Sequence, residues 1–365
     1  DIPESGNKVP DFLDEVKWNL DWMLSMQEED GGVYHKLTSE RFGGFTMPEK
    51  DDAGPRFIIG TGREPYQSTG ATADFAAVMA LASRIYKPYS VRDSEIYLNA
   101  AKSAFAWATE HPEVTFGNPS GVRTGGYGDG NLSDEILWAA AELFRTTGES
   151  AYNRYFLEHL RKKGSWVNGK DPQAWPLVQN MALWSYALCD MKGTDPGTRK
   201  KVKEDTLRAA QCIVDRHGKN GYLNSLTSSN YIWGSNSVAM NYSILLLVAD
   251  RFKKNQAFQN AAWDNLHYVL GRNTFNVSWV SQVGGNPYRH PHHRPSGADK
   301  IEAPWPGLLA GGPNAGRQDG VLAATRGQPP ARAWVDDQGS YAGNEVAINW
   351  NAPLVFVLAA SVPIP

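Results

Sequence analysis

Apolar residues recur at spacings of three and four along most of this 365-residue chain, and that period restricts its fold more than any other feature. A period of this kind is typical of helices with one buried face. Strand-like alternation is scarce. The period predicts ten helices, at residues 10–26, 69–86, 94–109, 131–147, 151–163, 174–190, 197–216, 235–250, 255–270 and 343–360. We therefore predict an all-α fold.

Two of the predicted helices are apolar around most of their circumference, at Ala71–Ala82 and at Ser237–Val248. Helices of this kind are buried on more than one side, so we expect concentric helical layers. Loops rich in Gly and Pro lie at 41–68, 115–130 and 284–340, and long loops within a compact domain are usually functional. The alternation of helices and loops is nowhere interrupted for long enough to mark a domain boundary, and we predict a single domain that spans the whole chain.

Composition limits the possible functions. The formal net charge is −3, without the clustered Lys and Arg that nucleic-acid and membrane-surface binders need. No apolar run approaches the roughly 20 residues of a membrane span. The first residues do not resemble a signal peptide, although one could precede residue 1. The 13 Trp and 15 Tyr supply flat rings that stack on sugars, the ligand best suited to a weakly charged chain.

The chain has two cysteines, Cys189 and Cys212, and both fall within helical patterns. Two cysteines exclude a disulfide framework, and we expect both thiols to be small core residues.

Three histidines and two arginines are crowded into the loop segment Ser278–Arg294. His290, His292 and His293 could bind zinc. The segment lacks downstream Cys ligands, however, and does not match the His-Glu-x-x-His pattern of zinc hydrolases. Hydrogen-bond donors for a polyhydroxyl ligand are the better interpretation.

Acidic residues precede the last apolar helix. Glu345 falls at the start of that helix, where low-dielectric surroundings raise the pKa of a carboxyl group and suit it to act as a general acid. The alternative is that Asn344 and Glu345 cap the helix, while Asp336 and Asp337 form a solvated turn. The residues alone slightly favour the alternative.

Both clusters resemble the two signature regions of glycoside hydrolase family 9. The specified positions of the first region are occupied by Ser278, Val280, Ser281, Gly284, Asn286, Pro291, His292 and Arg294. Those of the second are occupied by Trp334, Asp336, Tyr341, Glu345, Ala347, Asn351 and Ala352. Further segments resemble the family along the whole chain and are closest to the branch with an N-terminal immunoglobulin-like domain. Two long patterns in the right order make chance agreement negligible.

The resemblance implies an (α/α)6 barrel that cleaves β-1,4-glucan, mainly cellulose, with inversion, and it implies secretion from the cell. By motif position Glu345 is the general acid, Asp336 supports the site through hydrogen bonds, and His292 and Arg294 hold sugar hydroxyls. Further candidates for substrate binding are His35, Trp175, Trp233, Tyr341 and Trp350, of which the tryptophans would be stacking platforms.

The family's general base belongs to an Asp-Ala-Gly-Asp motif upstream of the segment with which this chain begins. Asp51-Asp52-Ala53-Gly54-Pro55 is similar, but it lies downstream and has Pro in place of the second Asp. We expect the base to be missing from the chain, together with an N-terminal part of the barrel and an immunoglobulin-like domain where the parent protein has one. Without its base the chain should be slower by about 10²-fold to 10⁴-fold, and so nearly inactive.

Asp129, Asp134 and Glu135 surround a Gly-containing turn, and such oxygen-rich side chains suit a hard cation. Family members often hold structural calcium near this segment. Equally, Ser133 could cap a helix whose first turn contains Asp134 and Glu135. No organic cofactor is expected.

Two other functions stay open. One is a non-catalytic glucan-binding remnant that keeps the cleft without its base, and the other is an exo-acting hydrolase of cello- or glucosamine oligosaccharides. The chain shows no heptad or other interface pattern, so we expect a monomer.

Overall fold

The computed structural model describes residues 2–51, 54–162 and 166–362. Twelve α-helices lie in these ranges: α1 (Asp11–Leu24), α2 (Thr69–Tyr86), α3 (Val91–Glu110), α4 (Ser133–Thr147), α5 (Ser150–Lys162), α6 (Gln179–Ala187), α7 (Pro196–His217), α8 (Ser235–Phe252), α9 (Gln256–Val269), α10 (Arg294–Ala298), α11 (Tyr341–Asn344) and α12 (Ile348–Ser361). Strands β1 (Lys36–Thr38) and β2 (Phe57–Ile59) form one antiparallel hairpin. Short 3₁₀ turns lie at Pro48–Lys50, Ser228–Asn230, Leu322–Thr325 and Pro330–Arg332.

Each of the ten predicted helices has a counterpart, and the all-α class is confirmed. The last residue predicted for the fifth helix, Lys163, lies outside the described residues. The hairpin and α10 were not predicted, because strands of three residues and a helix of five are too short to show a period.

The helix predicted at 174–190 is shorter in the structure, where α6 begins only at Gln179. Two causes act at its start. Pro176 disfavours helical backbone at the preceding residue. The Val178 N–H donates to Asp134 Oδ2 (3.0 Å), so a side chain from α4 supplies its hydrogen-bond partner.

The chain divides into two compact units. The first unit draws on Asp1–Phe42, Ala53–Val167 and Pro176–Val202. The second unit draws on Gly43–Asp52, Asn168–Trp175 and Lys203–Pro365.

In the first unit α2 packs against both α3 and α4. Its alanines Ala73, Ala76, Ala77 and Ala80 have no exposed surface, so the prediction of a helix buried on more than one side is confirmed. Alanine loses no side-chain entropy when it becomes helical, and its small size lets neighbouring helices approach closely. The Ser68 hydroxyl accepts the Ala71 N–H and caps the start of α2.

In the second unit α8 packs against α9 and α12. The α8 side chains Met240, Leu245 and Leu246 are fully buried, again as the apolar pattern predicted. On α12, Leu354 and Val357 face this core, whereas other apolar side chains of the helix are exposed.

Cys189 is buried as predicted, but Cys212 is exposed, and its prediction as a core residue was wrong. The buried stripe of α7 runs through Thr206, Ala210 and Ile213, at helical spacings that turn position 212 outward. None of the described helices combines the length and the apolar character that crossing a membrane requires.

Candidate active site

Backbone hydrogen bonds hold Glu345 in an extended link between α11 and α12, with φ −57° and ψ 150°. The carbonyl of Asn344 accepts the His292 N–H (2.8 Å), and the carbonyl of Glu345 accepts the Gly311 N–H (2.9 Å). In a continuous helix these carbonyls would have partners further along the helix itself. The helix predicted at 343–360 therefore begins later than predicted, as α12 at Ile348, and the alternative that Asn344 and Glu345 cap it was wrong, because the N-cap of α12 is Ala347.

The Glu345 side chain is partly buried, and its Oε2 accepts a hydrogen bond from the indole Nε1–H of Trp233 (2.9 Å). Burial raises the pKa of the Glu345 carboxyl, while the Trp233 hydrogen bond and the charge of His292 lower it. Burial dominates, so the pKa lies above its ordinary value of 4.5. A carboxyl group with a raised pKa is what general-acid catalysis near neutral pH requires.

His292 is held in one orientation. Its Nδ1 lies 2.7 Å from the carbonyl oxygen of Gln338. A carbonyl only accepts hydrogen bonds, so Nδ1 carries a hydrogen and donates it to Gln338. The imidazole also lies edge-on to Phe45 (centroids 5.1 Å apart) and close to Tyr341 (6.0 Å). Nothing in the sequence predicted Phe45, because its contact is made across a long stretch of chain.

Asp336 organises the loop that carries His292. Its Oδ2 accepts the Arg289 N–H (2.8 Å), and its Oδ1 accepts the His290 N–H (2.9 Å). The His290 Nδ1 lies 3.4 Å from the same Oδ1. Asp336 is therefore a partly buried residue with two backbone partners rather than part of a fully solvated turn, and its role in the reaction stays a prediction.

Asn344 ties the two signature regions together. Its side-chain amide donates to the carbonyls of His290, Val335 and Asp337, each at 3.1 Å. It is fully buried, and its Oδ1 has no hydrogen-bond partner. The sequence suggested only a helix cap here, whereas the structure shows a residue that supports the site.

The rings of Trp233 and Tyr341 lie 5.6 Å apart beside Glu345 and are 37% and 39% exposed, so they form one aromatic surface. The Tyr341 hydroxyl donates to the carbonyl of Gln318 (2.9 Å). Trp350 is half-buried with its ring against Gly234, where a Cβ would come within 2.8 Å of it. A glycine is needed there because its φ is also +85°.

The second unit thus brings together Glu345, Trp233, Tyr341, His292 and Asp336. Trp350 lies next to this cluster, since its ring also faces Gly311. Two other predicted residues of this unit are Trp175, which is 45% exposed, and Arg294, the first residue of α10. Their substrate contacts stay predictions.

His35 belongs to the first unit. Its ring stacks on Phe116, with centroids 3.8 Å apart and planes 6° from parallel. Its Nδ1 lies 3.0 Å from the Ser68 hydroxyl, and its Nε2 lies 3.0 Å from the carbonyl of Gly126. Burial lowers the pKa of His35. Both ring nitrogens therefore have protein partners, and one face of the ring is covered by Phe116.

Asp129, Asp134 and Glu135 lie close together in the first unit, and a fourth carboxylate, Asp74 of α2, joins them. Burial and the charges of Asp134 and Asp129 raise the pKa of Asp74 to about 8. Burial and the charges of Asp134 and Asp74 raise the pKa of Glu135 to about 10. Asp74 Oδ1, Asp129 Oδ2 and Glu135 Oε2 are buried without a hydrogen-bond partner. We refer to these four residues as the acidic cluster.

The alternative for this segment was wrong about Ser133 as the cap, but Asp134 and Glu135 do lie in the first turn of α4, as it predicted. Leu132 is the N-cap of α4, and the Ser133 hydroxyl donates to Asn131 Oδ1 (2.7 Å) instead. Asp134 accepts the Asn131 side-chain amide (2.5 Å) in addition to the Val178 N–H.

Unpartnered buried carboxylate oxygens fit the chemistry of a hard cation. In the described part of the chain, however, no group of three or more His, Cys, Asp or Glu side chains is already arranged as a metal site. A cation at the acidic cluster would therefore have to draw its ligands closer together. The imidazoles of His290, His292 and His293 have separate partners, in Asp336, Gln338 and Ser296.

Residues 1–358 match the model of glycosyl hydrolase family 9. Endoglucanase D from Acetivibrio thermocellus is 39% identical over 364 residues, which are 99% of this chain and 54% of that protein. A xyloglucan-specific endo-beta-1,4-glucanase from Bacteroides ovatus is 37% identical over 99% of this chain and 62% of its own length. The chain thus spans little more than half the length of these relatives.

A solved structure of a thermostable endoglucanase from Alicyclobacillus acidocaldarius matches with a TM-score of 0.90 and 35% identity, over 96% of this chain and 65% of that one. This likeness is consistent with the predicted (α/α)6 barrel. The sequence pattern, the helical fold and the matches agree, and the chain belongs to glycosyl hydrolase family 9.

Proposed function

We propose that the chain hydrolyses β-1,4-glucosidic bonds in cellulose or a related β-glucan, with Glu345 as the general acid. The proposal rests chiefly on the environment of the Glu345 carboxyl group. Its backbone is fixed by His292 and Gly311, its pKa is raised by burial, and it lies beside the exposed rings of Trp233 and Tyr341. Membership of family 9 and relatives named as endoglucanases support the same reaction.

In the proposed reaction, water adds to the anomeric carbon as the bond from that carbon to the glycosidic oxygen breaks. Glu345 gives its proton to the departing oxygen, and a base takes a proton from the water. We propose inversion, which needs acid and base carboxyls about 6.5–9.5 Å apart. We further propose that the base comes from outside these 365 residues. Asp52 and Ala53 of the segment that resembles the base motif lie outside the described residues.

Azide tests the acid, the missing base and the inversion together, because it is a nucleophile that needs no base. We expect the chain alone to release little sugar from carboxymethyl cellulose. With a cello-oligosaccharide and azide it should form a glycosyl azide of α configuration, inverted from the β-linked substrate. Glu345→Gln should abolish that product, whereas the exposed Glu302→Gln, a matched neutralisation in the same unit, should leave it unchanged.

Other results of the azide experiment would support a different mechanism or function. Full activity without azide would place the base within the chain and overturn its proposed absence. A β-azide would overturn inversion. Retention on cellulose without any product under either condition would favour the glucan-binding remnant. Because one relative is named for xyloglucan, cellulose, xyloglucan and short cello-oligosaccharides should be compared, and activity on short oligosaccharides alone would favour exo action.

The remaining site residues take supporting roles in this proposal. Asp336 would fix the loop, and His292 and Arg294 would hold sugar hydroxyls. Trp175, Tyr341 and Trp350 would contact sugar rings in the second unit, and His35 would do so in the first. We also propose that the enzyme is secreted and monomeric; size-exclusion chromatography with light scattering would test the oligomeric state.

We propose a structural Ca²⁺ ion at the acidic cluster, held by Asp74, Asp129, Asp134 and Glu135. The support is the set of buried carboxylate oxygens that have no hydrogen-bond donor. Charged oxygens in such a position are costly unless they are paired with a cation or neutralised by protons. A bound cation would compensate all of them at once and would join α2 to the start of α4.

A further inference from the structure

The contact between Trp233 and Glu345 distinguishes the two oxygens of the catalytic carboxyl. An indole N–H only donates hydrogen bonds, so Oε2, which it contacts at 2.9 Å, must accept. In a neutral carboxyl group the carbonyl oxygen is the better acceptor and the other oxygen carries the proton. The hydrogen bond therefore places the proton of the neutral acid on Oε1.

Neighbouring residues restrict the movement of Trp233. The next residue, Gly234, has a positive φ and the Trp350 ring against it, and it is the N-cap of α8. On the other side the Trp233 ring meets Tyr341, whose hydroxyl is anchored on Gln318. Tyr341 thus packs against the indole, and Trp350 packs against the backbone of the residue that follows Trp233, so both neighbours restrict how the Trp233 side chain can move.

We propose that Trp233 is a positioning residue that assigns the acidic proton of Glu345 to Oε1 and so aims it at the departing oxygen of the substrate. The proposal rests on the function proposed above and changes the role expected for Trp233, which was that of a stacking platform. In the reaction the Oε1 proton moves to the glycosidic oxygen as the bond to the anomeric carbon breaks. The negative charge that stays on the carboxylate is then stabilised at Oε2 by the indole N–H.

A hydrogen bond that strengthens while the charge develops accelerates the reaction, because it is stronger in the transition state than in the ground state. The same bond opposes the effect of burial on the pKa of Glu345. His292 is the other group that acts on this carboxyl, and it acts in the same direction. Trp233 and His292 must therefore be separated in any test.

Trp233→Phe removes the N–H and keeps an aromatic ring. With azide as the nucleophile, we expect cleavage of cellopentaose to fall by about 10-fold to 100-fold, the usual range for loss of a hydrogen bond to a charged group. Cleavage of 2,4-dinitrophenyl β-cellobioside should change by less than about 3-fold, because this leaving group departs without a proton. Trp233→His, which keeps a ring N–H, should recover part of the loss.

Equal losses on both substrates would overturn the proposal, since they would show that Trp233 contributes to sugar binding rather than to proton transfer. A second measurement does not depend on activity. Titration of protein labelled with ¹³C at the glutamate carboxyls, with the Glu345 signal identified by its loss in Glu345→Gln, should show a higher pKa in Trp233→Phe. The same comparison in a His292→Gln background removes the contribution of His292.

The matched control is Trp305→Phe. Trp305 is 41% exposed, and its Nε1 donates to Asp299 Oδ2 (2.8 Å), so it forms the same kind of bond with a different carboxylate. This variant should leave the pKa of Glu345 unchanged. An unchanged or lowered pKa in Trp233→Phe would overturn the proposal even if the wild-type chain cleaved no glucan. If the wild-type chain cleaved no glucan but the pKa of Glu345 still rose in Trp233→Phe, only the proposed function would be overturned.

Discussion

Glu345 and the acidic cluster are both sites where burial raises the pKa of a carboxyl group, yet they differ in what surrounds the charge. Glu345 has a hydrogen-bond donor in Trp233 and lies beside His292, so both its neutral and its ionised forms are supported. Asp74 and Glu135 have oxygens without donors and lie beside other carboxylates. A raised pKa alone therefore does not identify a catalytic acid; the partners of the group decide whether it can release its proton and recover it.

The largest effect should come from Glu345→Gln, which separates activity from stability. We expect glucan cleavage, measured with azide, to fall by about 10²-fold to 10⁴-fold because the departing oxygen is no longer protonated. The amide still accepts the Trp233 hydrogen bond, so the free energy of unfolding should change by less than about 1 kcal/mol. Urea denaturation measures the second quantity, and a large loss of stability would contradict the distinction between the two regions.

Removal of calcium should mainly lower the stability of the protein, whereas Glu345→Gln should mainly lower its activity. We expect EGTA to lower the melting temperature, and Ca²⁺ at 100 times its dissociation constant to restore about 2.7 kcal/mol of stability. Asp134→Asn should weaken this response, whereas Asp337→Asn, in the second unit, should preserve it. If neither the melting temperature nor bound metal measured by mass spectrometry depends on Ca²⁺, the acidic cluster is not a calcium site.

The pH dependence of the metal-free protein should follow from Asp74. Its pKa is raised from 3.8 to about 8 in the folded state, so the folded state holds the proton more tightly than the unfolded state does. The stability that this group contributes is fully present below pH 3.8 and is lost as the pH rises through 8. In EGTA, Asp74→Asn should flatten the fall in stability across this window. A fall of the same size in the variant would show that other groups cause it.

The smallest effect should be the change in stability caused by Asp336→Asn. This substitution neutralises a carboxylate that accepts hydrogen bonds from two backbone N–H groups. The amide keeps one acceptor oxygen, so one of the two bonds to the Arg289 and His290 N–H groups is lost. We expect a loss of about 1 kcal/mol in stability, measured by urea denaturation. Asp336→Ala, which removes both acceptors, should cost more, and equal costs would show that only one bond matters.

The sequence predicted the helices well because their determinants are local. The apolar period located α2 and α8 almost to the residue, and Ser68 is a cap that the pattern could have revealed. The break between α11 and α12 could not be read in this way. It depends on hydrogen bonds from His292 and Gly311, which are distant in the chain, and these override a continuous apolar period.

The site was predicted in part. Family motifs pointed to Glu345, Asp336 and His292, and spacing alone would have favoured a helix cap. Asp74 was missed. The sequence did contain a signal for it, since an acidic residue is unusual in the middle of an apolar, alanine-rich helix. The sequence contains no comparable signal for Phe45, since one aromatic residue in a loop is an ordinary surface feature.

The extended link at Glu345 also determines how this part of the protein opens. The amides of His292, Gly311 and Gly312 all donate to carbonyls of residues 343–345. Separating that link from either neighbouring segment would break bonds in the same small group, so these three amides should exchange their hydrogens with solvent as one cooperative unit. The proposed proton donor would then be displaced and restored together with the loop that carries His292, and a transient opening of this region would inactivate the proposed site as a whole.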